Sequence, residues 1–542
     1  MLAARRHYQD FMMNQPTQST LIAAALAGAQ VSAQAASSNI SVAQAARFLA
    51  QATFGPRLNE ISDLLNSGYQ GWLTQQFNQA PTSHLGAMLA SGDQLTRDSR
   101  LAAWWNIAVN GRDQLRQRVA FALIEIFVVS DQSAALSFES GNALAYYYDL
   151  LVKNAFGNFR SLLEDVTLSP AMGLYLNMKG NQKPDPANNI HADENYAREL
   201  MQLFSIGLVQ LNIDGTVKLD AKGVAQPTYS QTDVENLARV LTGWSWAGGD
   251  FFDGPPNNLT PMAPFAAYHD TDPKSFLGLR LPAGGSASQE LKAVLDLLYI
   301  HPNVGPFFCR QLIQRLVSSN PSPAYVGRVA SVFNNNGAGI RGDLKAVVQA
   351  ILLDSEARND PGPTFGKLRE PVLQVTHLWR ACNAKAPNGR YEFYYPESEI
   401  GQAPLSSPTV FNFFRPNYAP PGKLKTMGLA APEMQLVNAA SVAQLNNRMA
   451  DFVFGRDKDL AQNPEPSDIL LDLTPFKANA VNNLPALFDQ LNLLFMSGQM
   501  STSMKAALQA YLTTVGTDDG GSSRVQEALY LIMTSSQYMT QK

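Results

Sequence analysis

The chain has 542 residues, of which 16 % are charged, and its formal net charge is −4. Proteins that bind the phosphate backbone of nucleic acids need a basic surface, and this sequence contains no run of Lys and Arg. We therefore expect no nucleic-acid partner. The length allows one large helical body with insertions, or two or more ordinary domains.

The N-terminal residues have the features of an export signal. Arg5 and Arg6 precede an apolar stretch of small residues that ends in Ala33-Gln34-Ala35, which fits the small-residue cleavage pattern. We expect residues 1–35 to be a signal peptide and the mature protein to be periplasmic or secreted, although an amphipathic N-terminal helix is the alternative. No later stretch reaches about 18 uninterrupted apolar residues, so we expect no transmembrane span.

Helical periodicity dominates from residue 41 onward. In "SVAQAARFLAQATFG" the apolar residues Val42, Ala45 and Leu49 share one face, Ser41 is placed to cap the helix, and Gly55-Pro56 is placed to stop it. Similar patterns follow in "SRLAAWWNIAVNG", "DQLRQRVAFALIEIFVVS", "SQELKAVLDLLYI", "DLKAVVQAILLD" and "RVQEALYLIMTSSQY". These patterns predict a mainly α fold, with residues 36–542 forming one large multi-helix domain.

Three stretches depart from the helical pattern. "LVQLNIDGTVKLD" alternates apolar and polar residues about Asp214-Gly215, which predicts one small β-hairpin. Residues 248–285 and 391–422 are rich in Gly, Pro and aromatic residues, and both are too long for simple connectors. We expect these two segments to be ordered loop insertions.

The two cysteines give no clear sign of the redox environment. Cys309 and Cys382 lie far apart in the sequence, and neither has a second Cys or a suitably spaced His beside it. They could form one disulfide or be small buried residues on helices.

Residues 189–208, "NIHADENYARELMQLFSIGL", form the first candidate site. A helix over this stretch would place His191, Glu194, Asn195, Arg198 and Glu199 on one polar side. His191 is three residues from Glu194 and four from Asn195, so both pairs could converge on one ion or one substrate group. The alternative is the solvated face of an ordinary amphipathic helix.

The second candidate site lies in the first insertion, in "YHDTDPKSFLG". His269, Asp270 and Asp272 supply an imidazole and two carboxylates within four residues, with Lys274 beside them. Such a set could bind a divalent ion or act as acid and base. The alternative is an ordinary turn with a structural histidine.

Two further stretches carry polar or aromatic residues without a clear chemical pattern. Lys367, Arg369 and Glu370 in "FGKLREP" are expected to form surface salt bridges at a helix terminus. The aromatic stretch from Phe411 to Tyr418 is expected to be a buried plug, with a sugar-stacking shelf as the alternative.

Nine stretches occur along the chain in the order "ARFLAQATFGP", "NIHADENYARELMQLFSIGL", "LNIDGTV", "YSQTDVENLARVLTGW", "YHDTDPKSFLG", "HPNVGPFFCRQLIQRLV", "RGDLKAVVQAILLD", "FGKLREPV" and "SSPTVFNFFRPNY". Together they resemble the large bacterial family catalogued as domain of unknown function 1800, from about Ala46 onward. The resemblance implies a mostly helical, often exported protein, commonly encoded beside a family that resembles sulfatases and alkaline phosphatases. The family's recurrent polar positions fall here on His191, Asn195, Arg198, Glu199, His269, Asp270, Lys274 and His301.

The leading hypothesis is a metal-assisted hydrolase that acts on a cell-surface or extracellular polymer such as a polysaccharide. It places one divalent metal ion in a cleft formed by both candidate sites, with Arg198 or Lys274 orienting an anionic or polyhydroxylated substrate. The expected metal ligands are His191, Glu194, His269 and Asp270. The expected catalytic residues are His191, Glu194, Asn195, Arg198, Glu199 and Lys274.

Two alternatives come from other classes of protein. The chain could be a non-catalytic helical scaffold or a partner subunit for the sulfatase-like neighbour, with its polar helix face serving as an interaction surface. It could also bind carbohydrate without cleaving it, provided that the aromatic stretch 411–418 faces solvent.

Overall fold

A computed structural model of the chain describes residues 40–136, 141–359, 362, 364–455 and 465–542. The expected signal peptide, residues 1–35, lies outside these ranges. Within them, no helix is both long enough and apolar enough to cross a membrane.

The described residues are mainly helical, which confirms the predicted fold class. The helices are α1 (Val42–Ala52), α2 (Leu58–Asn78), α3 (His84–Ser91), α4 (Arg97–Asn110), α5 (Gln114–Ile124), α6 (Gly141–Asn154), α7 (Phe159–Thr167), α8 (Pro170–Tyr175), α9 (Asn195–Gln202), α10 (Gln231–Val240), α11 (Ala287–Ile300), α12 (Val304–Leu316), α13 (Pro323–Asn334), α14 (Leu344–Leu353), α15 (Ser355–Arg358), α16 (Pro371–Ala381), α17 (Pro396–Glu399), α18 (Lys423–Thr426), α19 (Ala439–Phe454), α20 (Thr474–Asn482), α21 (Leu484–Met496), α22 (Thr502–Leu512), α23 (Ser522–Met533) and α24 (Ser536–Met539).

Helix α1 shows how local sequence sets the helix ends. The Ser41 hydroxyl accepts a hydrogen bond from the backbone N–H of Gln44 at 3.2 Å, and the Gln44 side chain accepts one from the Ser41 N–H at 2.9 Å. This reciprocal pair is a capping box, so the predicted cap at Ser41 is confirmed. Phe48 and Leu49 then bury the apolar face of the helix in the core.

The core is held together by aromatic side chains from helices far apart in the sequence. Trp104 and Trp105 on α4 meet edge to face at 5.0 Å, and Trp105 meets Trp379 on α16 at 5.4 Å. The Trp105 indole N–H donates to the backbone oxygen of Phe393 at 3.1 Å. The second insertion therefore packs directly onto the core, as an ordered segment.

Strands are few and short. The described residues form three two-stranded antiparallel sheets, in which β1 (Trp244–Ser245) pairs with β2 (Ala263–Pro264), β3 (Lys274–Phe276) with β4 (Leu279–Leu281), and β5 (Lys367–Leu368) with β6 (Thr540–Gln541). The first two sheets order the first insertion and its flanks. The third sheet joins two segments that are remote in the sequence.

The predicted hairpin is present only as a set of isolated β-bridges. Leu211 faces Val217 across the turn at Asp214-Gly215, where Gly215 has a φ of +78°. Two more bridges join Val209 to Pro227 and Leu219 to Ala225, so that the chain turns back twice. Residues 208–228 thus form three short arms, which we call the meander.

Cys309 and Cys382 are both buried and unpaired. Burial raises the pKa of both thiols well above the usual value. The cysteines are small core residues on or beside helices, and the disulfide alternative is wrong.

Candidate functional site

The first candidate site does not lie on one helix. Helix α9 begins at Asn195, six residues after the predicted start, so His191 lies in an exposed loop. The Asp193 carboxylate accepts a hydrogen bond from the Asn195 N–H at 2.8 Å, while the Asn181 side chain accepts one from the Asp193 N–H at 2.9 Å. The predicted helix start at residue 189 was wrong, because these two bonds hold Asp193 in a non-helical position before the helix begins.

Glu194 and Arg198 form an ion pair at the surface. An Arg198 guanidinium nitrogen lies 2.8 Å from a Glu194 carboxylate oxygen, and the Gln231 amide donates to the same oxygen at 3.1 Å. Asn195 and His191 are exposed beside them. An exposed pair of this kind contributes at most about 1 kcal/mol to stability.

Glu199, which was predicted on the same polar side of the helix, differs from Asn195 and Arg198 in being buried. Its side chain is buried, and one of its carboxylate oxygens has no hydrogen-bond partner among the described residues. Burial raises the pKa of Glu199, although the charge of Arg198 opposes this effect. Burial also raises the pKa of nearby Tyr175 to about 12, while a hydrogen bond with Ser407 opposes that shift.

The second candidate site is a buried network of ion pairs. Nδ1 of His269 lies 3.0 Å from the backbone oxygen of Thr242, so this nitrogen carries the proton that bonds the two. Nε2 of His269 lies 3.4 Å from a Glu290 oxygen, and Lys274 Nζ lies 2.9 Å from the same oxygen. These side chains are almost fully buried.

Asp270 is also held by cations of the chain itself. Its carboxylate accepts two hydrogen bonds from Arg239, at 2.8 and 3.0 Å, in a bidentate pair. Burial opposes ionisation of Asp270, but the bonds from Arg239 outweigh it, and the pKa of Asp270 lies below its usual value. We call the set of Arg239, His269, Asp270, Lys274 and Glu290 the His269 network.

The two candidate sites contact opposite ends of helix α10. Gln231 at its start bonds Glu194, and Arg239 near its end bonds Asp270. Eight residues of helix separate these contacts by about 12 Å. The side-chain bonds therefore do not join the two sites directly.

No group of three or more His, Cys, Asp and Glu side chains is arranged to hold a metal ion in the ranges that the structure describes. Asp270 is already paired with Arg239. His191 lies in an exposed loop and is not part of the buried His269 network. A divalent ion at His191, Glu194, His269 and Asp270 stays a prediction.

A third polar site lies deep in the protein, where five ionisable side chains form what we call the buried charge cluster. Lys367 Nζ lies 3.1 Å from a Glu370 oxygen and 3.2 Å from a Glu433 oxygen, and all three side chains are at most 2 % exposed. Arg315 approaches Glu125 at 3.7 Å in the same region. Buried charges of this kind must be paired, because an isolated charge in the interior is very costly.

Glu125 and Glu370 interact directly within this cluster. Burial, together with the charge of Glu370 and a hydrogen bond to it, raises the pKa of Glu125 well above the usual value. Burial opposes ionisation of Glu370 too, but Lys367 and the bond from Glu125 outweigh it and lower its pKa to about 2. Opposite shifts of this kind are expected of two close carboxyl groups that share one proton.

A small cavity adjoins Glu125. Its volume is about 10 Å³, and Ser407 and Asn412 are among the residues that line it. A cavity of roughly this size holds about one water molecule. It is too small to admit a sugar or a peptide.

The sequence did not predict where this cluster lies. Lys367, Arg369 and Glu370 were expected at the surface, and that expectation was wrong because all three are buried. Glu125 was not singled out at all. The available signal was its position within the apolar run "FALIEIFVV", since a carboxylate inside a core helix needs a buried partner.

The aromatic stretch 411–418 is partly core and partly surface. Phe414 is buried, which fits the plug interpretation, while Phe411 is half-buried under the guanidinium of Arg415 at 4.8 Å. A continuous exposed shelf of rings is not formed by these residues.

The meander exposes large apolar side chains. Leu208, Ile213, Val217, Leu219 and Val224 are each between 42 and 59 % exposed. Such side chains are common singly at protein surfaces, whereas larger exposed apolar patches are typical of interaction sites.

The buried side chain of Asn303 fixes the meander to the body. Its amide nitrogen donates to the backbone oxygens of Ile206 and Val209, at 2.9 and 2.7 Å, and its amide oxygen accepts from the Leu211 N–H at 2.8 Å. The arms are thus held in place by the start of α12 and are not a loose loop.

The described residues thus form a mainly α-helical protein with two buried networks of ion pairs. At its surface, the meander exposes apolar side chains and is fixed to the body by Asn303. The chain belongs to the family described as Protein of unknown function (DUF1800), whose model matches residues 47–540. No curated protein and no solved structure matches the chain. The family description assigns no activity.

Proposed function

We propose that this protein is a non-catalytic helical scaffold that binds a protein partner through the apolar side chains of the meander. The single observation that carries this proposal is the exposure of five large apolar residues between Leu208 and Val224. Burying them against a partner would be favourable by roughly 25 cal/mol per Å² of apolar area.

The charges around the meander favour a protein over a phosphate-bearing surface. Lys218 and Lys222 are balanced by Asp214 and Asp220 on the two turns. An anionic membrane selects basic amphipathic surfaces, whereas a balanced rim around an apolar centre is typical of protein interfaces. The proposed partner therefore presents an apolar face with a mixed polar rim.

The state of the predicted catalytic residues also supports a scaffold. His269, Asp270 and Lys274 are occupied by contacts within the chain, and Glu194 and Arg198 pair with each other. Metal-assisted hydrolysis stays a prediction, and no cluster of described residues adds support to it. Location in the periplasm or outside the cell remains part of the proposal, and it rests on the N-terminal sequence alone.

The experiment compares two matched surface variants. The double variant Leu219→Asp/Val224→Asp alters the meander, and Leu89→Asp on α3 alters a residue of equal exposure elsewhere. The first partner to test is the product of the sulfatase-like neighbour gene that the family resemblance implies. We expect the wild type and Leu89→Asp to bind it in a co-purification assay, and the double variant to lose binding. Equal binding by all three proteins would refute the meander as the docking surface.

A further inference from the structure

An open cleft lies between the C-terminal ends of α4 and α16. Its volume is about 580 Å³, within the roughly 300–1,000 Å³ of small-molecule sites. Its polar lining residues are Arg57, Asn106, Asn110, Asn383, Lys385 and Asp472. It is lined by none of the meander, the His269 network or the buried charge cluster.

Hydrogen bonds hold the floor of this cleft rigid. Arg57 donates to the backbone oxygens of Val109 on α4 and Arg380 on α16, at 3.0 and 3.3 Å, and so ties the two helix ends together. The Tyr391 hydroxyl donates to the backbone oxygen of Ala384 at 2.5 Å. A wall fixed in this way needs little reorganisation when a ligand binds.

The rim of the cleft is fixed as well. Lys385 and Leu470 exchange two backbone hydrogen bonds, at 2.9 and 2.8 Å, and the Asp472 N–H donates to the backbone oxygen of Cys382 at 2.8 Å. Asn383 adopts a left-handed conformation with a φ of +43°, at the point where the chain leaves α16. Asn tolerates this conformation better than most residues, and its short side chain remains in the lining of the cleft.

Several polar groups of the cleft are left without a partner. Within the ranges that the structure describes, the Nζ of Lys385, the side-chain amide of Asn383 and the amide nitrogen of Asn106 form no hydrogen bond or ion pair. The amide oxygen of Asn106 accepts from the Asn110 amide at 2.9 Å, which sets its orientation. The cleft thus offers amide donors, an amide acceptor and one ammonium group, and the orientation of the Asn106 amide is set by its bond from Asn110.

This lining selects the chemistry of the ligand. Amide groups pair with hydroxyl groups, which both donate and accept. Arg57 and Lys385 outnumber Asp472, so the cleft carries one net positive charge. Burial, followed by repulsion from Arg380, also lowers the pKa of Arg57. A nearby anionic group would therefore stabilise the charged form of Arg57.

We propose that the cleft between α4 and α16 binds a polyhydroxylated small molecule with one acidic group, such as a uronic acid. Lys385 contacts the carboxylate of the ligand, and Asn106 and Asn383 contact its hydroxyl groups. The proposal concerns binding alone, since the cleft is lined by a single carboxylate, that of Asp472. It is independent of the meander and of the proposed partner.

The test is calorimetric titration of the full chain with D-glucuronate, and with D-glucose as the neutral probe. We expect saturable binding of glucuronate and weaker binding of glucose. Lys385→Gln should weaken glucuronate binding about tenfold, because it removes a charge-assisted hydrogen bond. Asn383→Gly keeps the left-handed backbone accessible, removes the amide, and should weaken the binding of both sugars.

Lys425→Gln is the matched control, since Lys425 is an exposed lysine on α18 that is not part of the cleft lining. It should bind as the wild type does. Three outcomes would overturn the proposal: no saturable binding of glucuronate by the wild type, equal binding of the two sugars, or full binding retained by both Lys385→Gln and Asn383→Gly.

Discussion

Glu125 and Glu370 interact in the centre of the protein, where burial and the charge of Glu370 raise the pKa of Glu125 while Lys367 helps to lower that of Glu370. Glu125 follows helix α5 directly and Glu370 precedes helix α16, so the interaction joins two helix termini. Lys367 and the Gln402 amide, at 3.1 and 2.8 Å, complete the surroundings of Glu370. Both residues carry the same carboxyl group, but their pKa values are shifted in opposite directions, so we expect them to play different roles in stability.

Isosteric substitution should separate these roles. Glu125→Gln keeps a neutral donor in place of the protonated carboxyl, and we expect the free energy of unfolding to change by less than about 1 kcal/mol. Glu370→Gln leaves the charge of Lys367 less compensated and should cost about 3–5 kcal/mol. Urea unfolding of the two variants at neutral pH measures the difference, and equal losses would show that the proton is not held by Glu125.

The same pair makes stability depend on pH. The pKa of Glu125 is higher in the folded state than in the unfolded state, so its contribution is complete below the unfolded pKa of about 4.3 and declines as pH rises towards the folded pKa. Glu370 acts in the opposite sense, because its lowered pKa gives stability above about pH 4.3 that is lost as pH falls towards 2.

We therefore expect the free energy of unfolding of the wild type to fall between pH 5 and pH 8 relative to Glu125→Gln. Urea titrations at several pH values measure both curves under the same conditions. Parallel curves over this range would contradict a raised pKa at Glu125.

The two histidines of the predicted site should differ sharply in their effect on stability. His269→Ala removes a buried group that bonds Thr242 and faces Glu290, and should cost about 1–3 kcal/mol. His191→Ala changes an exposed loop residue and should alter stability by no more than about 0.5 kcal/mol. Thermal unfolding gives both values. Elemental analysis of the same proteins tests the predicted metal, since a shared ion would have to be lost from both variants.

Gly243 should be intolerant of a side chain because it lies against His269. Its φ is +82°, and a Cβ atom there would lie 2.9 Å from both the Cβ and the backbone nitrogen of His269. Gly248 has a similar φ of +86° with nothing within 4 Å of the added atom. Gly248→Ala should therefore cost only the conformational term of about 1–2 kcal/mol, and Gly243→Ala clearly more. Equal melting temperatures would show that the contact with His269 relaxes freely.

Local sequence signals predicted the helices well because their causes are local. The cap at Ser41 depends on a residue three positions away, and the apolar face of α1 repeats within one short segment. His191 was misplaced because Asn181, which lies well upstream, fixes Asp193 and so sets where α9 begins. A single contact from outside the segment was enough to shift the predicted helix start.

The buried charge cluster could not be predicted from the local sequence, for a different reason. Lys367 and Glu370 are close in sequence and look like a surface pair, but Glu125 and Glu433 come from remote segments. Whether a side chain is buried depends on the segments that pack against it, and no pattern within "FGKLREP" indicates which segments those are. The polar residues of the open cleft are likewise scattered, and only the fold brings Asn106 and Lys385 together.

Strand β5 has an implication for how the protein folds during synthesis. Lys367 and Leu368 pair with Gln541 and Thr540, and the Arg369 N–H donates to the backbone oxygen of Met539 at 2.6 Å. At about 5–20 residues per second, the ribosome delivers residues 539–541 on the order of ten to thirty seconds after β5. During that interval β5 has no partner strand, so this sheet can form only after residues 539–541 have been made.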